Sequence, residues 1–175
     1  LEEGRTVGPT AYWQGRALMM SGRPAAALEA WRRALEVLEK RLAQERNRPD
    51  YLRMKALLLA HLGEAEAAER TWRLFLEFKE RGSRFDTLST NLDRIRILLV
   101  LGKREEAVAE FLAEENWSPE PSLASVSALR LDPLLDPLRA DPRVQPILQA
   151  AIAWQESQRI VPGAAAGGAS KSDGR

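Results

Sequence analysis

Three arginines recur in three successive helix-forming stretches. Arg16, Arg53 and Arg96 each lie four residues from an apolar or aromatic neighbour, respectively Tyr12, Leu57 and Leu92. A guanidinium presents a planar fork of donors that matches a carboxylate through two parallel hydrogen bonds. A row of such forks suits an acidic extended peptide or a C-terminal carboxylate. Met20, His61 and Val100 fall on the same expected face, so the candidate groove comprises Tyr12, Arg16, Met20, Arg53, Leu57, His61, Leu92 and Arg96. These positions are expected to point inward without belonging to the core. Reversing the three arginines to glutamate is then expected to abolish binding and leave the melting temperature nearly unchanged.

Catalytic chemistry lacks its components. The chain has one histidine, His61, and no cysteine, which leaves neither a catalytic triad nor a zinc site. Near the end of a first helix, a charged His61 would favour the helix dipole. The paired carboxylates Glu2-Glu3, Glu105-Glu106 and Glu114-Glu115 have no convergent base and read as solvated surface. Ser21, Ser83, Ser118 and Ser125 lack a nucleophile-elbow context. Gly163, Gly167 and Gly168 follow no strand, so they make no phosphate loop. Asp132, Asp136 and Asp141 each precede proline. A carboxylate there caps free amides while proline fills a position that needs none, so the three read as helix caps, not metal ligands. No catalytic residue, metal or cofactor is expected; the chain reads as a binding protein and not an enzyme.

Composition limits the partners. The 175 residues are 45% hydrophobic and 29% charged, enough for one domain with a sizeable core. A net charge of +1 supplies no global field for nucleic acid or an anionic membrane. The five tryptophans come with no basic stripe, which disfavours nucleic-acid stacking. No apolar run approaches the ~18 residues of a membrane span, so no membrane insertion is expected. The partner is expected to be a protein or peptide.

The arginines are positioned by a repeated stretch. Gly22 is followed by Ala27, Trp31 and Ala34; Gly63 by Ala68, Trp72 and Phe75; Gly102 by Ala107, Phe111 and Glu114. The glycines are 41 and 39 residues apart. Such self-similarity signals stacked helical hairpins. Gly22 suits the left-handed residue that ends a first helix, and Pro24 suits the first turn of the next. Leu28, Trp31, Leu35, Leu38 and Leu42 then form one apolar stripe. Thr10 can cap the opening helix, and Gly15, without a side chain, lets its partner helix approach closely. After Asn116 the rhythm changes to a loop over residues 117–121 and then to the Asp-Pro pairs. The expected division is a linker or frayed end over 1–9, three hairpins over 10–115, C-terminal capping helices over 116–161, and a disordered tail over 162–175.

The pattern of glycine, alanine, aromatic and small residue resembles the tetratricopeptide repeat over roughly Thr10 to Glu115. The tryptophan usual early in the first helix is missing from all three copies, and Glu114 stands where the first copy has Ala34. The resemblance implies an all-α, right-handed solenoid of helical hairpins, with first helices lining a concave surface that binds protein segments. The stretch from Leu131 to Leu148, with its Leu-Asp-Pro and Asp-Pro-Leu-Arg motifs, resembles the end of tetratricopeptide regions in bacterial multidomain proteins, among them receptor-like serine/threonine kinases, adenylate cyclases and transcription activators. This implies a C-terminal scaffold of such a protein. An alternative is a regulatory region that packs on, and gates, a kinase, cyclase or DNA-binding domain outside this sequence.

Overall fold

The computed structural model describes residues 9–45, 48–80, 87–113 and 123–157. The expected linker before Pro9, Glu114, the 117–121 loop and the tail from Pro162 lie outside the described residues.

Each hairpin turns on its glycine. Gly22, Gly63 and Gly102 have φ of +71°, +80° and +74°, the left-handed region that a side chain disfavours. At each, the glycine amide donates three residues back, to Met19, Ala60 and Leu99. The next amide donates five residues back, from Arg23 to Leu18, Glu64 to Leu59 and Lys103 to Leu98. This pair of hydrogen bonds satisfies carbonyls that the ended helix leaves open. The same closure three times makes α1 (Thr10–Met20) and α2 (Pro24–Gln44), α3 (Pro49–His61) and α4 (Ala65–Glu80), and α5 (Thr87–Val100) and α6 (Arg104–Leu112) three equivalent hairpins. Then come α7 (Leu123–Leu131), a 3-10 turn (Pro133–Leu135), α8 (Asp136–Arg139) and α9 (Gln145–Ser157). Among the described residues there is no strand; the fold is an all-α solenoid of helical hairpins.

The repeat residues fill the hairpins as their spacing requires. Ala27, Trp31 and Ala34 are buried, as are Ala68, Trp72 and Phe75, and Ala107 and Phe111. Trp31 lies across α1, and Gly15 makes room for it. A β-carbon at Gly15 would stand 2.3 Å from the indole nitrogen of Trp31, which donates to the Tyr12 carbonyl at 3.2 Å. Surplus length over the common 34-residue repeat lies partly in α2, which runs 21 residues.

Packing passes from α2 to α3 and from α3 to α5. One buried cluster joins the first two hairpins and reaches Ile97 on α5. A second runs from Leu92, Ile95 and Leu98 of α5 through α6 to Leu129, Leu135, Leu138, Val144 and Leu148. The C-terminal helices therefore extend the stack by using the second face of α5.

Several expected caps differ. Thr10 is the first helical residue; Pro9 precedes it and no side chain caps α1. Asp132 does accept from the Leu134 amide at 3.1 Å, and Asp141 from the Arg143 amide at 3.0 Å. Asp141 opens a turn, and α9 starts four residues later. Asp136 caps nothing, because α8 begins at Asp136 itself and its carboxylate pairs with Arg139.

Candidate functional site

The first helices α1, α3 and α5 carry Arg16, Arg53 and Arg96, and two aspartates join the three into one chain. Asp132, in the turn after α7, accepts from Arg16 through both carboxylate oxygens and from the Nε of Arg96 at 2.9 Å. Arg96 also donates to Asp93 at 2.6 Å. The other oxygen of Asp93 lies 3.2 Å from the Nε of Arg53. The sequence Arg53–Asp93–Arg96–Asp132–Arg16 thus crosses three hairpins. The arginine side chains retain only 13–16% of their exposure, and that of Asp132 retains 6%. Burial pushes the Asp132 carboxyl up, but the Arg16 hydrogen bond and the charges of Arg96 and Arg16 outweigh it and hold the group below its usual range.

Asp93 and Asp132 link the three arginines, so the carboxylates that they face belong to this same chain. Tyr12, Leu57 and Leu92, expected beside them outside the core, are 2%, 2% and 1% exposed. The correction has a simple cause. α3 is apolar nearly all round, with Leu52, Met54 and every residue from Ala56 to Ala60 buried, and such a helix is enclosed on every side. Leu92 meets the C-terminal cluster that covers α5. Met20 alone of the eight is open, at 66% exposure. Trp13, on the same face one heptad earlier, is 47% exposed.

His61 ends α3 but does not offer a charge to its dipole. Its ring stacks on Trp31 with centroids 4.1 Å apart and lies 6.0 Å from that of Tyr12. Its Nε2 is buried without a protein partner. Burial, then the nearby Arg16 charge, pushes the imidazole down to about 4, against a smaller opposing effect of Asp132. Folded protein therefore takes up this proton later than unfolded chain as pH falls. The His61 contribution to stability is intact above the ordinary histidine value near 6.5 and is lost as pH falls toward 4, by up to about 3 kcal/mol. Thermal unfolding between pH 7 and 4 should show this loss, and His61→Phe should flatten the slope in that window. An unchanged slope in the variant would mean that His61 is solvated in both states.

A family profile described as tetratricopeptide repeat matches residues 8–33 and 42–73. Over those two segments the chain carries tetratricopeptide repeats. Comparison with curated proteins and with solved structures gave no match. The two tetratricopeptide segments take in α1, the ends of α2, and α3 with most of α4. The third hairpin shares their glycine closure and buried alanine–aromatic pair. Tetratricopeptide repeats generally mediate protein–protein interaction. Among the described residues, no helix is long and apolar enough to cross a membrane.

Proposed function

We propose that this chain is a protein-interaction scaffold that takes an acidic partner segment along the wall formed by α1, α3 and α5, acting by binding and not by catalysis. One observation carries the reading: Arg16, Arg53 and Arg96, from three successive first helices, already pair with carboxylates there. Guanidinium groups preset to receive a carboxylate lose little freedom on binding one. The test is a ten-residue glutamate-rich peptide added at low salt, with its footprint read by amide hydrogen exchange. Protection on α1, α3 and α5 that fades as salt rises supports the reading, since salt screens over ~8–10 Å the attraction that draws an acidic segment toward the wall. Protection on α2 and α4 instead, or no binding, overturns it.

A second reading is regulatory, in which the chain packs on a kinase, cyclase or DNA-binding domain of a larger bacterial protein. Its support is the exposed apolar face of α1, where Trp13 and Met20 stand seven residues apart. Both partners are proteins, and the footprint separates them: the regulatory reading predicts protection centred on the outer face of α1.

A further inference from the structure

The wall is occupied by its own chain. We infer that the turn at Asp132 and Pro133 is an internal occupant of the arginine wall, and that an acidic partner binds by putting its own carboxylate in the place of Asp132. The inference rests on the wall being the binding surface.

Four donors converge on the Asp132 carboxylate. Its Oδ1 accepts from Arg16 Nη2 and from the Leu134 amide; its Oδ2 accepts from Arg96 Nε and, at 3.4 Å, from Arg16 Nη1. That is the full acceptor capacity of a carboxylate. Arg16 comes from 116 residues away and Arg96 from 36, so the contact is a docking of distant segments and not a local turn device. The turn is also shaped like a bound segment. Leu131 points away and is 74% exposed, Asp132 points into the wall, and Leu135 is fully buried against the α5 cluster. Pro133 opens the 3-10 turn that follows, so the carboxylate is presented at a corner. An incoming segment meets the same requirements if it brings a carboxylate to the gap between Arg16 and Arg96. Asp93 stays with Arg53 and Arg96 on the first-helix side, so exchange of one carboxylate for another leaves the charge balance of the wall unchanged.

Internal occupancy reduces apparent affinity by the fraction of molecules that are open. Weakening the occupant should therefore tighten binding. Asp132→Asn retains an oxygen for the Leu134 amide and removes the charge held by the arginines. Two measurements are made on wild type and Asp132→Asn: amide exchange at Leu134 and Leu135 without ligand, and affinity for the glutamate-rich peptide at low salt. The expected result is exchange at Leu134 and Leu135 faster by about tenfold or more in the variant, with a smaller change at amides of α2 and α4, and peptide affinity tighter by a similar factor. In wild type, adding the peptide should speed exchange at Leu134 and Leu135, an arm that needs no substitution. Unchanged exchange in both arms overturns the internal occupant whatever the peptide does. Faster exchange with equal affinity shows that the wall is used without displacing Asp132, which overturns the competition and leaves the binding surface standing. Binding to neither protein overturns the surface, and the competition with it.

Discussion

Arg96→Glu should destabilise the fold by about 3–5 kcal/mol, the range for breaking a buried ion pair by removing one partner. Arg96 donates to Asp93 at 2.6 Å and to Asp132 at 2.9 Å, and its side chain is 13% exposed. Glutamate there would place a third carboxylate between two that already lie in a partly dry site. Its loss is a large part of the ~5–15 kcal/mol by which a domain of this size is stable. Arg96→Met should cost less, because it removes the charge without opposing the two aspartates and retains the apolar stem. Arg73→Glu, on the exposed face of α4, should stay within about 0.5 kcal/mol of wild type. Urea unfolding followed by circular dichroism measures all three. Equal midpoints for Arg96→Glu and wild type would mean that the network is not closed in solution. The recurrence of arginine predicts that reversal spares the fold, and the buried pairing overturns that expectation.

The difference between what the sequence discloses and what it hides follows from range. The glycine closures are local: a left-handed residue, two amides and the carbonyls behind them all lie within six residues. The alanine and aromatic positions are also local, because the spacing along one helix decides which face they share. The pair of Asp93 and Arg96 is legible for the same reason, being one turn apart. Asp132 is different. Its cap to Leu134 is local and predictable from Asp-Pro, whereas its two arginines lie 116 and 36 residues away. A short motif that fully explains a residue conceals any distant partner. The burial of Leu57 had a signal of its own in the run Leu57-Leu58-Leu59-Ala60, which no single-faced helix requires. Asp136 shows the reverse case, a motif matching the caps on either side while its carboxylate turns outward to Arg139.

Trp31→Ala should cost about 3–5 kcal/mol, the range for truncating a large buried aromatic side chain. Trp31 is 1% exposed and joins three helices: it lies in α2, donates to the Tyr12 carbonyl of α1 and stacks on His61 of α3. Trp31→Phe should cost less, retaining most of the packing and losing the hydrogen bond of the indole. Gly15 provides a check on the same contact from the other side. Gly15→Ala sets a methyl 2.3 Å from the indole nitrogen and 2.5 Å from the adjacent ring carbon, so the ring or α1 must shift, at about 1–3 kcal/mol. The two changes share one space and should not add. With Trp31 truncated to alanine, the added methyl at Gly15 meets a cavity, and its cost should fall to near zero or reverse. Denaturant midpoints of the two single variants and the double variant complete the cycle. Additivity within ~0.5 kcal/mol would place Trp31 away from Gly15 and undo the register of the first hairpin.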